Sequence, residues 1–114
     1  MTASYFMICA TDKPGSAALR DATRERHRAY LRAPNPHGVE TVLGGPLVDD
    51  DGRMNGSLLV VRAATRAQAE SFLAGDPYRV AGLFERVEVR AWDWSLGRPA
   101  EPADPADPAP AAAR

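Results

Sequence analysis

The chain has 114 residues, enough for one small domain, and its 14 basic and 15 acidic side chains give a formal net charge of −1. This balance argues against a nucleic-acid-binding protein, because such proteins normally carry a clear basic excess. No apolar run is long enough to span a membrane and the first residues lack a signal-peptide pattern, so we expect a cytoplasmic protein without membrane contact. The single cysteine, Cys9, excludes an internal disulfide and is expected in the core.

Composition divides the chain into a folded domain, residues 1–97, and a tail, residues 98–114. The tail reads RPAEPADPADPAPAAAR and contains no large apolar side chain. Such a segment cannot offset the entropy of ordering its backbone by burying apolar surface. We therefore expect the tail to be disordered.

The first third of the chain predicts a strand followed by a long helix. Ser4 to Ala10 is apolar at both alternating sets of positions, which is typical of a strand covered on both faces. A turn-rich loop, residues 11–15, leads to Ser16, the expected N-cap of a helix from Ala17 to Arg32. His27 lies at the edge of the buried stripe of this helix. Four arginines at helical spacing predict the solvated face: Arg20, Arg24, Arg28 and Arg32.

The middle of the chain predicts a hairpin. Val39 to Leu47 has strand character but contains Gly44-Gly45-Pro46, and paired glycines in a strand mark a bulge or a close approach to the backbone. Asp51-Gly52 is a hairpin turn signal. Ser57 to Arg62 follows as a third strand that is again apolar on both faces.

The last part of the domain predicts a second helix and a fourth strand. A Thr-x-x-Gln capping box at Thr65 opens a helix that runs to about Gly75. Asp76-Pro77 is another helix-start signal, because Asp accepts from exposed backbone N–H groups and Pro at the first helical position loses no hydrogen bond. A short turn, residues 77–83, then leads into a strand from Phe84 to Trp94.

The predicted element order is βαββαβ. With short connections and right-handed crossovers, this order gives a four-stranded antiparallel sheet with two helices on one face, the ferredoxin-like α+β arrangement. The other face would carry apolar side chains of the first and third strands, together with Trp92 and Trp94 of the fourth. We expect a second subunit to cover that face, giving a homodimer with its sheets packed face to face, a dimeric α/β-barrel-type assembly.

His27 and Asp76 are the candidate catalytic residues. In this topology the turn at Asp76 lies near the first helix, so contact between the two side chains is geometrically reasonable. A carboxylate that accepts a hydrogen bond from one ring nitrogen fixes the tautomer and leaves the other nitrogen as a base. The simpler alternative is that Asp76 only caps a helix and His27 is a partly exposed helix residue.

Other patterns predict neither a metal nor a cofactor site. The second histidine, His37, lies in a loop between Pro36 and Gly38 and is not expected to be functional. Two histidines without Cys or carboxylate partners at ligand spacing do not form a metal site. Gly44-Gly45-Pro46 is not a phosphate loop, because neither a Lys nor a helix start follows it.

Four short motifs resemble the YciI-like (YCII-related) proteins, and the resemblance spans about residues 4–93. The motifs are Arg24-x-x-His27-x-x-Tyr30-Leu31, Leu43-Gly44-Gly45-Pro46-Leu47, Gly56-Ser57, and Asp76-Pro77-Tyr78 ahead of Gly82-Leu83-Phe84. The resemblance implies a dimeric ferredoxin-like fold and an active site with a His–Asp pair, which corresponds to His27 and Asp76. It further implies a pocket lined by Arg24, Gly45, Pro46, Ser57 and Tyr78.

The resemblance leaves two hypotheses for the function, since some family members resemble lyases or dehalogenases acting on chlorinated hydroxyquinone-type rings and others accompany transcription regulators. The first is a cofactor-independent enzyme of lyase, isomerase or dehalogenase type, in which His27 and Asp76 perform acid/base chemistry on a small anionic or aromatic metabolite. The second is a non-catalytic dimeric module that binds a metabolite or another protein. Arg26 and Arg28 beside His27 fit an anionic substrate or, equally, a solvated face.

Overall fold

A computed structural model describes residues 4–99 of the chain. These residues form four strands and three helices, in the order β1 (Ser4–Asp12), α1 (Ala17–Arg32), β2 (Glu40–Val48), β3 (Met54–Ala63), α2 (Arg66–Ala74), α3 (Pro77–Val80) and β4 (Phe84–Trp92). Every predicted strand and helix is present. Only Arg98 and Pro99 of the predicted tail fall within the described residues, so its disorder stays a prediction.

The four strands form one antiparallel sheet in the order β2-β3-β1-β4. β1 is therefore central, paired with β3 on one side and with β4 on the other. This is the strand order that right-handed crossovers give to a βαββαβ chain, so the predicted ferredoxin-like α+β fold is confirmed. The helix-start signal at Asp76-Pro77 is confirmed by a short helix, α3, which occupies part of the segment predicted as a turn, residues 77–83.

The main hydrophobic core lies between the sheet and the helices. Alternate residues of β1 face the helices, and Ile8 at the centre is paired with Leu59 of β3 and Val89 of β4. The helices contribute apolar residues to the same cluster, namely Ala69, Phe72, Leu73 and Tyr78. Burial of these side chains from both layers holds the helices on one face of the sheet.

The opposite face of the sheet carries a smaller apolar cluster of Tyr5, Val60 and Trp94. Trp94 lies just beyond β4, and its ring packs edge-on against Tyr5 at a centroid distance of 5.5 Å. Trp92 stacks on Trp94 at 5.2 Å but stays 39% exposed. Cys9 alternates with the core residues of β1 and is only partly buried, so the expectation of a core cysteine is wrong.

The buried face of α1 is polar. Its buried residues are Arg20, Thr23 and His27, whereas Leu19 is exposed. The prediction that Arg20 belongs to a solvated face is therefore wrong. The predicted loop also begins later than expected, because Asp12 is the buried last residue of β1. Ser16 occupies the N-cap position, but its side chain makes no capping hydrogen bond.

Neither α1 nor any other helix within residues 4–99 is long and apolar enough to cross a membrane.

β1 and β3 approach each other closely at Gly56. A Cβ atom there would overlap the backbone oxygen of Ala10, so only glycine fits without a shift of the backbone. The close pairing places the next residue, Ser57, opposite Ala10 on the face that packs against the helices. The Gly56-Ser57 motif therefore delivers a hydroxyl group to the side of the sheet where α1 lies.

Candidate active site

Asp76 is held in place by the local sequence. It is the N-cap of α3, with Pro77 at the first helical position, and its Oδ1 accepts a hydrogen bond from the backbone N–H of Tyr78 at 2.9 Å. The residue is only 1% exposed. The predicted helix-start signal therefore fixes a buried carboxylate next to α1.

His27 of α1 contacts this carboxylate directly. Its Nδ1 lies 2.7 Å from Oδ1 of Asp76. Because an ionised carboxylate only accepts hydrogen bonds, Nδ1 carries the proton, and Nε2 of the neutral ring keeps its lone pair. The contact expected between these two residues is thus present, and Asp76 both caps a helix and binds the histidine.

Tyr78 supports both members of the pair. Its backbone N–H holds Asp76, and its ring stacks on the His27 imidazole with a centroid distance of 3.9 Å and an interplanar angle of 19°. The Tyr78 ring is itself buried and packs edge-on against Phe84. The imidazole is therefore fixed in position by a hydrogen bond at one edge and by stacking on its face.

Arg20 forms a second buried polar cluster beside this pair. Its Nε and Nη2 donate to the two carboxylate oxygens of Asp12 at 2.7 and 2.9 Å, and Nη2 also donates to Oγ of Ser57 at 3.0 Å. Arg20 is 3% exposed, and its Cζ lies 4.6 Å from the centroid of the Tyr78 ring. The planar fork of the guanidinium is thereby locked in one orientation.

The guanidinium of Arg20 stays charged despite its burial. Burial alone would lower the pKa of Arg20, but the hydrogen bond and negative charge of Asp12, together with Tyr78, raise this pKa above its ordinary value. A hydrogen bond with the Tyr78 side chain is among the contacts that keep the charged form. Arg20 therefore supplies a positive charge that is fixed in position.

These residues open onto a cleft of about 340 Å³ between α1 and β2. Apart from the Tyr78 phenol, the ionisable residues on its wall are all basic: Arg20, Arg24, His27, Arg28 and Arg32. Asp76 is not part of the wall and reaches the cleft only through His27. The volume suits a ligand about the size of one substituted ring, and the basic lining favours an anion.

All five residues predicted to line the pocket lie on this wall: Arg24, Gly45, Pro46, Ser57 and Tyr78. The predicted irregularity in β2 is present as a register shift between Thr41 and Leu43, just before the glycines. At Gly44 a Cβ would come 2.7 Å from Cδ2 of Leu59, so this glycine allows a close approach to β3.

Two other arginines of the cleft, the partly buried Arg24 and the exposed Arg28, differ from Arg20 in their surroundings. Nη2 of Arg24 donates to the exposed Asp21 at 2.7 Å and lies 3.4 Å from Sδ of Met54. Arg28 lies 3.7 Å from the exposed Glu25. These side chains are held only by flexible surface partners, so their positions in the cleft are less defined than that of Arg20.

The described residues show no candidate metal centre. Within residues 4–99, no three His, Cys, Asp or Glu side chains come together as ligands. His37 lies in the loop before β2, where its backbone N–H donates to Oδ1 of Asn35, and it is not part of the cleft wall.

A family model described as the YCII-related domain matches residues 4–93. The chain belongs to this family. An uncharacterised protein of Haemophilus influenzae is 30% identical over 91 residues, which cover 75% of this chain and 93% of that protein. The resemblance that the sequence motifs indicated is thus confirmed.

A solved structure with clear sequence similarity is that of 5-chloro-2-hydroxyhydroquinone dehydrochlorinase (TftG) from Burkholderia phenoliruptrix AC1100, in complex with 2,5-dihydroxybenzoquinone. It is 33% identical to this chain, with a TM-score of 0.66, and the match covers 78% of this chain and 93% of TftG. A NIPSNAP-like domain protein from Burkholderia xenovorans has a TM-score of 0.52 at 18% identity, covering 93% of this chain and 98% of that one. The second similarity shows a shared fold alone.

Sequence reasoning did not find Arg20 or Asp12 as members of the site. One signal for Arg20 was available, because it precedes His27 by seven residues, or two helical turns, and therefore lies on the same face of α1. Placing His27 toward the sheet places Arg20 there as well. For Asp12 the sequence held no comparable signal.

Proposed function

We propose that this protein is a cofactor-independent enzyme that performs acid/base chemistry on a small anion with a hydroxylated ring. His27 is the proton-transfer group, and Asp76 is the residue that positions it. The observation that carries the proposal is the 2.7 Å contact between Nδ1 of His27 and the buried carboxylate of Asp76, on the wall of a basic cleft. A second contribution comes from the sequence similarity to a dehydrochlorinase.

The pair supports proton transfer in both directions. With the proton of the neutral ring on Nδ1, Nε2 is the nitrogen able to accept a proton from a ligand. When it does so, the positive charge of the imidazolium lies against the carboxylate of Asp76, which stabilises it. The same ring then returns the proton to another atom of the ligand, so one residue serves as base and as acid.

The substrate class follows from the cleft and from the chemistry of TftG's named substrate. A chlorinated trihydroxybenzene that loses HCl becomes a hydroxyquinone. One hydroxyl proton moves to the carbon that held chlorine, a second is released, and chloride leaves with both electrons of the C–Cl bond. This balance needs proton transfers and no outside oxidant, which matches the properties of a single histidine–carboxylate pair.

The direct test is turnover of 5-chloro-2-hydroxyhydroquinone under anaerobic conditions, followed by chloride release. We compare the wild type with His27→Gln, which keeps a polar side chain but cannot transfer protons, and with His37→Gln as a matched control outside the cleft. The expected result is chloride release by the wild type, an unchanged rate in His37→Gln, and a loss of about 10²- to 10⁴-fold in His27→Gln. Full activity of His27→Gln would overturn the assignment.

The alternative is a non-catalytic module that uses the same cleft to bind a metabolite. It is distinguished by a wild type that binds hydroxylated rings but converts none of a panel of them, with or without chlorine. In that outcome the acid/base enzyme is rejected, and the His27–Asp76 pair is a structural element of a binding site.

We also propose that the open face of the sheet forms a homodimer. Trp92 and Leu58 are partly exposed on this face, and Glu88 and Arg90 share the face with Trp92, because the three residues are spaced two apart along β4. In an isologous interface, Glu88 of one copy can meet Arg90 of the other, so the face is complementary to itself. Light scattering during gel filtration should show a dimer for the wild type and a monomer for Trp92→Glu. A monomeric wild type would contradict this.

A further inference from the structure

The cleft wall carries exposed positive charge at the end where α1 finishes. Arg28 is exposed and lies 3.7 Å from the exposed Glu25, while Arg32 is exposed and forms no ion pair within residues 4–99. No acidic side chain of the described residues lies on this wall. The pair of His27 and Asp76 uses neither arginine, so this end of the cleft favours an acidic partner.

The chain itself supplies such a partner beyond the described residues. Residues 100–108 read AEPADPADP, three successive units of alanine, an acidic residue and proline, and we call this segment the acidic repeat. We infer that the acidic repeat binds in the cleft of its own chain, against Arg28 and Arg32, so that an anion entering the cleft has to displace it. This inference does not depend on the proposed acid/base function, because it concerns only what occupies the cleft.

The spacing of the acidic repeat suits a row of arginines. Glu101, Asp104 and Asp107 each precede a proline, and such residues favour the polyproline II conformation. This conformation has three residues per turn, which places the three carboxylates on one side of the segment, about 9 Å apart. Arg28 and Arg32 are about 6 Å apart along α1, and their long side chains can span the difference.

The tail begins close to the cleft. Trp94 forms a cluster with Tyr5 and Val60 on the open face of the sheet, and Cζ of Arg98 lies 6.0 Å from the centroid of the Tyr5 ring. Val42 of the edge strand β2 packs against this cluster and also lines the cleft. Only β2 therefore separates the start of the tail from the cleft.

The acidic repeat is long enough to pass around β2. Tyr5 of β1 pairs with Arg62 of β3, which pairs with Glu40 of β2, so the edge of the sheet lies two strand spacings, about 10 Å, from Tyr5. Passing from the open face to the helix layer adds a similar distance. The stretch from Arg98 to Asp107 spans about 28 Å in the polyproline II conformation, which is more than this path requires.

Tethering makes weak contacts sufficient. An exposed ion pair adds little by itself, but a short linker holds the acidic repeat at the cleft with an effective concentration of about millimolar. A second groove, between α2 and β4, contains Arg66 and Arg79 but is a poorer partner. There Glu70 lies 2.9 Å from Arg66 and neutralises its charge, whereas the described wall of the cleft has no such acidic residue.

The direct test is paramagnetic broadening of amide signals in the full-length protein. A nitroxide is attached to Ala109→Cys in a Cys9→Ser background, with Cys9→Ala in its place if Cys9→Ser does not fold. We expect strong broadening at Arg32 and Thr41, on the cleft, and little at Glu70, which lines the second groove. Uniform broadening, or broadening centred on Glu70, would overturn the inference.

Loss of charge on the acidic repeat should release it from the cleft. The combined substitution of Glu101→Gln, Asp104→Asn and Asp107→Asn should remove the broadening at the cleft. Raising the salt concentration from about 10 mM to about 1 M, which shortens the Debye length from about 30 Å to about 3 Å, should have the same effect. Broadening that survives both changes would show that ion pairs do not hold the segment.

The arginines of the cleft are tested with a matched pair of variants. Arg28→Gln with Arg32→Gln should also remove the broadening. The control, Arg26→Gln with Arg79→Gln, removes two exposed charges outside the cleft and should leave the broadening as it is in the wild type. Equal effects of the two variants would mean that the acidic repeat responds only to net charge, and the cleft would not be its site.

Contact between different chains is tested by mixing. One sample combines ¹⁵N-labelled chain without nitroxide and unlabelled chain that carries it. We expect this sample to show much weaker broadening at the cleft than chain that carries both labels. Equal broadening in the two samples would overturn the assignment of the acidic repeat to the cleft of its own chain.

Discussion

Oδ1 of Asp76 accepts two hydrogen bonds, one from Nδ1 of His27 at 2.7 Å and one from the backbone N–H of Tyr78 at 2.9 Å. A single oxygen atom therefore joins a side chain of α1 to the first turn of α3. The sequence offered a helix cap and a histidine partner as alternatives for this aspartate. In the structure it is both, so the helix start that fixes the carboxylate also fixes the tautomer of the imidazole.

Replacing Asp76 should destabilise the protein more than replacing an ordinary cap. Thr65 is an exposed residue that caps α2 by accepting from the backbone N–H of Gln68. Thr65→Ala should lower the free energy of unfolding by about 1 kcal/mol, and Asp76→Ala by about 2–4 kcal/mol, because the charged hydrogen bond with His27 is lost as well. Urea unfolding measures the free energy of unfolding of each variant. If Thr65→Ala and Asp76→Ala lose the same amount, the hydrogen bond between His27 and Asp76 adds nothing to stability.

The Asp12–Arg20 pair should be far more sensitive than a surface ion pair. Asp12→Asn leaves a buried guanidinium without its counter-charge, and we expect the free energy of unfolding to fall by about 3–5 kcal/mol. The control is Glu70→Gln, which breaks the exposed Arg66–Glu70 pair on α2 and should cost no more than about 0.5 kcal/mol. If the free energy of unfolding falls by a similar amount in Asp12→Asn and Glu70→Gln, the buried Arg20 is not stabilised by the charge of Asp12.

Gly56 and Gly45 should respond differently to the same substitution. In Gly56→Ala the new methyl group overlaps the backbone oxygen of Ala10, which should reduce stability by about 1–3 kcal/mol and loosen the β1–β3 pairing. At Gly45 a Cβ meets nothing within 4 Å, so Gly45→Ala should unfold at nearly the wild-type urea concentration. A tolerated Gly56→Ala would contradict the close approach of the two strands.

Tyr30 should make the protein less stable at high pH. Burial, and then the negative charge of Asp76, raise the pKa of the Tyr30 phenol above its ordinary value. The folded state therefore keeps this proton where the unfolded state has lost it. The resulting stabilisation is complete below the pKa of the unfolded phenol, about 10, and disappears as the pH rises through the folded value.

The variant Tyr30→Phe isolates this effect. It loses the hydrogen bond from the Tyr30 hydroxyl to the backbone oxygen of Phe72, so it starts less stable by about 1 kcal/mol. Between about pH 9 and pH 11, its stability should then fall less steeply than that of the wild type. Parallel curves over this range would show that Tyr30 titrates as it does in the unfolded chain.

Hydrophobic patterning was enough to predict the order and nearly the bounds of the strands and helices. The helix from Ala17 to Arg32 and the sheet order follow from local patterns and from handedness rules that hold for most chains. The Asp76-Pro77 signal was equally local, since it depends only on how a helix begins. Contact between His27 and Asp76 could be predicted because the topology leaves few places for the two elements to meet.

The burial of Arg20 could not be predicted in the same way. Arginines spaced four residues apart on a helix normally form a solvated face, and this pattern holds for Arg28 and Arg32, whereas Arg24 is partly buried. Arg20 is the exception because the end of β1 delivers a carboxylate, Asp12, and the close β1–β3 pairing delivers Ser57 to the same point. Both contacts depend on strand register, which single-residue propensities do not encode.

The tautomer of His27 tests the central claim most directly. Long-range ¹H–¹⁵N correlation spectra at alkaline pH report which ring nitrogen carries the proton, and His37, which lies outside the cleft, serves as an internal reference. We predict that neutral His27 is protonated at Nδ1 in the wild type and that this preference is lost in Asp76→Ala. A wild-type ring protonated at Nε2 would leave no base in the cleft and would contradict the proposed acid/base function.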